Sequence, residues 1–459
     1  MANGKRKKGT GEYSGGRSLA WSARGISQAV DVVLLLQLTY FCTNALGLSA
    51  GIVGTLMLVC RLFDGISDLV AGIIVDKTHS KWGKARPYEL CIIGVWVTTV
   101  LLFSCPNFGT VGKTLFVFLA YTLNTSVFVT LESASEPVYL RRAFKTNQDQ
   151  AKILSASGIL IMVFSTITGI ALPLLISTWG TQPGGWTKIS LVFAIPFGIF
   201  GTFRFLFIKE MDDFTEIANA ERKVTLKEAL KILFANKYIL IYSAIMLLQN
   251  LVTNIASAVA LYYAQYILGN LALNSVLGMI GLFTPLALIF IPKLMQKRGL
   301  MGIARVCTLA AVVGYLIKIF GSISFPVLVI ASIVVSLAGL PLNMLGHIIT
   351  IECIDYGEWK NNVSGVEGIY GSLSGFAIKI GSGLASAVVG IIMGIAGFDG
   401  TLEVQSALAN GSIIALSTVI PAALSLVQYF VIRKYDLNDK IGQIRQELDA
   451  RRKELIENN

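Results

Sequence analysis

The stretch RLFDGISDLVAGIIVDKTHSKWGKARP, residues 61–87, begins inside an apolar run and ends in a basic loop. Drawn as a helix, it carries Asp64 and Asp68 one turn apart, with Arg61 a turn before them. The run it belongs to, residues 50–76, is long enough to cross a bilayer, which takes about 20 apolar residues. A carboxylate at the bilayer centre costs at least about 2.5–3.5 kcal/mol unless it faces a cavity or a partner. A spanning helix that keeps two of them and ends in positive charge reads as a functional membrane helix whose basic end is cytoplasmic.

The rest of the chain follows the same plan. Of 459 residues, 54% are hydrophobic and 14% charged, where soluble domains carry about a quarter charged. Apolar blocks between polar breaks give twelve candidate spans, at 25–46, 50–76, 87–106, 112–136, 151–177, 187–208, 237–267, 273–294, 302–320, 324–352, 366–398 and 409–434. The expected fold is an all-α membrane protein of twelve transmembrane helices in two six-helix bundles, residues 1–208 and 236–435. A cytoplasmic middle loop, 209–235, joins the halves, with an amphipathic stretch at 225–234 lying along the membrane surface. A charged tail, 436–459, reads as a solvated cytoplasmic helix.

The net charge of +11 supports that topology. Basic residues gather at 5–8, 79–86, 141–145, 209–235, 293–298 and in the tail, whereas the alternate connections hold only Lys113 and Lys188. This bias puts both termini in the cytoplasm and gives no reason to invoke nucleic acid. The polar first 20 residues show no cleavable signal. The cysteines at 42, 60, 91, 105, 307 and 353 lack metal spacing, and GKRKKGT at 4–10 lacks the pattern of a phosphate-binding loop. Neither cofactor nor enzyme chemistry is indicated. A basic segment follows the second span of each half (GIIVDKTHSKWGKARP, FIPKLMQKRGLMG), an echo that suggests the major facilitator architecture.

The informative residues are the ionisable ones inside spans: Arg24, Asp31, Arg61, Asp64, Asp68, Asp76, Glu132, Glu136, His347, Glu352, Glu367 and Lys379. Asp64 and Asp68 share a helix face with Cβ atoms about 5–6 Å apart. At an effective dielectric near 20, two charges about 5 Å apart repel by about 3 kcal/mol. A proton or a hard cation such as Na⁺, with Ser67 adding oxygen, relieves that repulsion. The alternative is that Arg61 neutralises one acid and a distant lysine the other. Glu132 and Glu136 repeat the i, i+4 spacing, with Glu136 nearer the cytoplasmic mouth. His347 reads as a hydrogen-bonded core residue. The glycines around Lys379 (371, 375, 381, 383) allow close helix contact.

Residues 61–90 and DYGEWKNNVSGVEGIYGSLSGFAIKIGSG (355–383) closely resemble the glycoside–pentoside–hexuronide:cation symporters, typified by the melibiose permease, and the resemblance runs through about 25–435. It implies that Asp64 and Asp68 bind the coupling cation, Na⁺, Li⁺ or H⁺, and that Lys379 supports the cation and sugar sites. The family's asparagine beside the cation is Ser67 here, and its span-four threonine falls at Val129, with Thr130 adjacent. The sugar site is altered. The span-one Lys–Asp pair is Ser27 and Gln28, with Asp31 one turn on as a substitute acid. The span-four acid is Glu132, the stacking tryptophans are Glu136 and Asn343, and the span-five arginine is Ser157. Arg61, Asp76, Arg86, Asp355 and Glu367 are placed as gating or structural charges.

The function expected is cation-coupled symport of a sugar, glycoside or uronide by alternating access, driven by Na⁺ or H⁺. The chain is placed in the inner (plasma) membrane as a multi-pass monomer whose partners are the small solute and the bilayer. The alternatives are a proton-coupled carrier or exporter of another small solute and a non-transporting sensor.

Overall fold

The structure, a computed structural model, describes residues 14–78, 80–144, 147–210, 234–282, 291–361 and 367–457. Among them all regular secondary structure is helical, apart from one isolated bridge between Ser80 and Gly83. Among the described residues, nine helical runs are long and apolar enough to cross a membrane. Three further expected spans fall short for different reasons. Ala50–Lys77 has the length, at 28 residues, but the side chains of residues 66, 69 and 76 lie outside those described; Cys91–Leu102 has only 12 residues; Leu273–Leu282 stops where the described residues stop. Large apolar side chains, among them Val97, Leu119, Ile159, Ile199, Ile330, Ile391 and Phe430, are exposed along the helices. An apolar exterior of this extent calls for lipid as the outer solvent.

The chain divides into two compact units. The first comprises Met1–Glu216 with Asn270–Gly278 and Phe398–Val404; the second comprises Ile217–Gly269, Met279–Gly397 and Gln405–Asn459. In the first, α1 (Gly15–Leu35) packs along α6 (Asn147–Trp179) and α7 (Gly185–Gly201). The helix α2 (Ala50–Lys77) lies on α4 (Thr110–Thr122) and α5 (Thr130–Ala143), and α3 (Cys91–Leu102) lies on α7. The starts are capped as their sequences suggest. The Ser14 hydroxyl accepts the Arg17 N–H at 3.3 Å, and Ser49 accepts the Ile52 N–H at 3.5 Å. Because Ser14 starts α1, this helix begins ten residues before the expected boundary at 25, which places Arg24 in its interior.

In the second unit, α8 (Lys237–Tyr262) runs along α11 (Glu367–Ile395), and α9 (Ile291–Lys318) packs between α10 (Phe325–Asn361) and α13 (Val419–Arg433). A short α12 (Ala407–Ser417) precedes α13. A Cβ on Gly381 would come within 2.7 Å of the Leu247 carbonyl oxygen, so this glycine permits the close α8–α11 approach, whereas Gly375 faces open space. Residues 293–298, expected as a loop, lie inside α9: Pro292 stands in the first turn, where proline is tolerated.

The tail also departs from expectation. The last helix, α14 (Ile441–Glu457), packs on α10, with Ile441, Ile444 and Leu448 buried in the same core as Tyr238, Ile349, Cys353 and Tyr435. Its polar side is fastened too. Arg445 Nε lies 2.7 Å from Asp355, Trp359 Nε1 donates to Glu447 at 2.6 Å, and Arg451 donates to the Trp359 carbonyl at 3.1 Å. Three apolar residues at i, i+3 and i+7 mark one helical face, and that face is docked rather than solvated. The amphipathic stretch at 225–234 falls largely outside the described residues.

Candidate cation and solute site

Asp64 is 1% exposed and points from α2 toward the segment joining α4 to α5. Its Oδ1 accepts from Thr125 Oγ1 at 2.9 Å and from the Ser126 hydroxyl, and its Oδ2 lies 3.0 Å from Arg61 Nη1. Thr130 Oγ1 lies 3.3 Å from Asp68 Oδ1 and 3.0 Å from the Thr125 carbonyl. Ser67 donates to the Asp64 carbonyl at 2.9 Å and lies 3.5 Å from the Thr130 hydroxyl. Two carboxylates, one guanidinium and four hydroxyls thus gather between α2 and the fourth expected span.

The local reason is a widened turn. Residues Leu123–Val129 form a π-helix, a feature frequent at functional sites. In a regular helix residues 125 and 130 point about 140° apart, at about 100° per residue. The wider turn closes that angle, bringing Thr125, Ser126 and Thr130 to the same side. At regular pitch residue 129 would follow residue 125 around the helix, whereas here Thr130, the neighbour of the position that the resemblance aligns with the family's threonine, does.

The same turn is tied to a second acid. Asn124 Nδ2 donates to the Val95 carbonyl and to the hydroxyls of Thr98 and Thr99, at 2.9–3.0 Å. Thr99 in turn donates to Asp31 Oδ1. Asp31 is fully buried on α1. Its carboxyl is engaged with α3, which is not the placement expected of a sugar ligand.

Glu132 and Glu136 belong to a third cluster with Arg24. The guanidinium of Arg24 lies 2.6 Å from Glu136, 3.4 Å from Glu132 and 3.5 Å from Glu89, and donates to Gln28 Oε1 at 3.1 Å. Arg204 lies 3.2 Å from Glu136 and 3.5 Å from Glu89, with its guanidinium 3.3 Å above the Trp21 ring. Of these five charges only Glu136 is appreciably exposed, at 39%. Glu132 is therefore held by Arg24 inside the unit. Ser27, at the other altered span-one position, accepts from Trp96 Nε1 at 2.8 Å and donates to the Phe197 carbonyl at 2.6 Å.

Arg86 donates to the Phe205 carbonyl at 2.7 and 2.9 Å, while Glu210 accepts the backbone N–H groups of Lys84, Ala85 and Arg86 at 2.7–3.0 Å, clamping the loop after α2. Lys379 is half-buried on α11, its carbonyl accepting from Ser382 at 2.9 Å. The side chains of Asp76, Asn343, His347 and Glu367 lie outside the described residues. Residue-by-residue reading missed Thr125, Ser126, Glu89 and Arg204. The hydroxyls gave no signal without the widened turn. Glu89 and Arg204 were legible as charges at the ends of apolar blocks.

Residues 26–439 match the family model described as MFS/sugar transport protein. The isoprimeverose transporter of Lactiplantibacillus pentosus is 30% identical over 79% of this chain and 76% of its own length. The glucuronide carrier protein homolog of Escherichia coli (strain K12) is 25% identical over 95% of each chain. A crystal structure of a D-xylose–proton symporter aligns over 91% of this chain and 97% of its own, with a TM-score of 0.65 at 14% identity, a likeness of fold.

Proposed function

The chain belongs to the MFS/sugar transport protein family, as a glycoside–pentoside–hexuronide:cation symporter, and from that premise we infer that it is a multi-pass cell-membrane carrier moving a small sugar or glycoside together with a cation. Asp64 and Asp68 bind the coupling ion, with Ser67 contributing oxygen, while Thr125, Ser126 and Thr130 orient the carboxylates. The observation that carries this reading is the buried Asp64, with half-buried Asp68 one turn on, set against a widened turn lined with hydroxyls. Arg61, Asp64 and Asp68 sum to a formal charge of −1, so one monovalent cation, Na⁺ or H⁺, neutralises the cluster. Without it the excess charge resists occlusion, which links solute movement to ion binding.

In this reading the chain crosses the membrane twelve times, with both ends and the 209–235 segment in the cytoplasm, and works as a monomer. Gln28 and Glu136 contact solute from α1 and α5. Glu132 acts through Arg24, shaping the pocket without touching the solute. Arg86 and Asp355 are structural charges that anchor the loop after α2 and the tail helix.

A thermal-stability screen of the purified protein tests this. A ligand of the folded state at about 100 times its Kd adds about 2.7 kcal/mol of apparent stability. Pentosides, glycosides and uronides would each be added with Na⁺, with Li⁺ or with neither. A sugar that raises the melting temperature more in the presence of a cation, or at a pH that supplies the proton, is the expected result. No response to any sugar under any of these conditions would sink the reading.

A further inference from the structure

The acid left over from the coupling cluster is Asp31. It is fully buried, and its Oδ2 has no hydrogen-bond partner. Its Oδ1 is met only by the Thr99 hydroxyl. Among the described residues no arginine, lysine or histidine pairs with it. The titratable group of α4 within electrostatic reach is Tyr121, whose ring carries Arg61 at 5.7 Å. Arg24 is spent on the glutamate cluster, seven residues and so about 10 Å along α1. A buried carboxylate with one hydroxyl and no counter-charge is penalised by several kcal/mol, and such a group takes a proton instead.

What lies around it gives that proton a consequence. Thr99, the partner of Asp31, also accepts from Asn124 at 2.9 Å. Asn124 is the second residue of the widened turn, and the next two residues, Thr125 and Ser126, are those that donate to Asp64. The Oδ1 of Asn124 is likewise buried without a partner. The turn is thus held from one side by the Asp31–Thr99–Asn124 bonds and from the other by Asp64. We propose that Asp31 is a proton-binding site, distinct from the Asp64/Asp68 pair, whose neutral form keeps the widened turn in the geometry that presents Thr125 and Ser126 to the coupling acids. The neutral acid asks little of Thr99. Its anion requires the Thr99 proton and any further donor it can draw, which competes with the bonds Thr99 and Asn124 make to the turn. Asp31 acts on the cation site through these residues, as a positioning group.

Two measurements on the full-length purified protein test this. In infrared titration, the wild-type protein minus Asp31→Asn shows the carbonyl stretch of one protonated carboxyl at neutral pH, unchanged by Na⁺ and still present when both proteins carry Asp64→Asn. The band shifts in Thr99→Val, which removes the hydroxyl. Absence of that difference band overturns the proton assignment, and this arm needs no transport and no bound cation. The second readout is the thermal shift produced by Na⁺ or Li⁺, followed on the alkaline side, where protons no longer compete at Asp64 and Asp68. The wild-type shift declines as Asp31 ionises, while in Asp31→Asn it stays flat. Parallel alkaline profiles overturn the link to the cation site. No shift in either protein at any pH counts against the coupling reading, while the infrared result still decides the status of Asp31.

Discussion

Replacing Arg24 by methionine keeps much of the side-chain volume and removes the guanidinium that contacts three carboxylates. Glu89 and Glu132 are fully buried and Arg24 is 1% exposed, whereas Glu136 is 39% exposed. Breaking a buried ion pair by deleting one partner costs about 3–5 kcal/mol, because the remaining charge has no compensation. The contact to the half-wet Glu136 adds no more than about 1 kcal/mol, by analogy with exposed pairs. Arg204 remains 3.5 Å from Glu89 and relieves part of the strain there, but has no contact to Glu132 among the described ion pairs. The expected loss is therefore about 3–5 kcal/mol, or about 6–20 °C in melting temperature for a cooperative unit of roughly 200 residues. Heat challenge in detergent, read by fluorescence-detected gel filtration, measures it. Adding Glu132→Gln to Arg24→Met should recover a large part of the loss, since the charge that Arg24 served is then gone. A fall below about 2 °C for Arg24→Met alone, less than 1 kcal/mol on the same scale, would refute the reasoning.

Gly83→Ala should destabilise the loop after α2, because residue 83 has φ +114° and an added Cβ would meet the Glu210 carboxyl. Faster amide exchange at Lys84, Ala85 and Arg86, whose N–H groups Glu210 accepts, reports it. Leu448→Ala should cost about 2–5 kcal/mol, as for other buried leucines, if α14 belongs to the second unit's core. Limited proteolysis of the tail checks this, an unchanged cleavage pattern arguing for a free tail. Asp436 is held down to about 2 by hydrogen bonds from Lys440 and then Tyr238. A lowered acid contributes stability above its unfolded value of about 3.9, and that contribution is lost as the pH falls toward 2. Asp436→Asn should flatten the acid limb of the stability curve, by a small amount because the side chain is 42% exposed.

The helical architecture was legible because apolar block length is a one-dimensional signal, and so was the acid pair, whose i, i+4 spacing needs only a helix. The fastening of the tail was half legible. Ile441, Ile444 and Leu448 share a face, but nothing in the sequence names the helix they dock on. The cluster around Asp64 was the least legible part, since Thr125, Ser126 and Thr130 converge only in a widened turn. Helical periodicity assumes constant pitch, so it does not bring these three hydroxyls to one side. Asp31 and Glu132 were read as acids that a transport cavity would explain. Burial shows instead that one is engaged by a threonine and the other by an arginine, partners 68 and 108 residues away in the chain.

Uptake into proteoliposomes under an imposed cation gradient tests the coupling role of the α2 acids most directly. With a sugar chosen from the stability screen, wild-type protein should accumulate solute against its concentration when Na⁺ or H⁺ is driven inward. Asp64→Cys and Asp68→Cys, inserted at equal levels, should lose that accumulation. Full gradient-driven accumulation by both variants would contradict it.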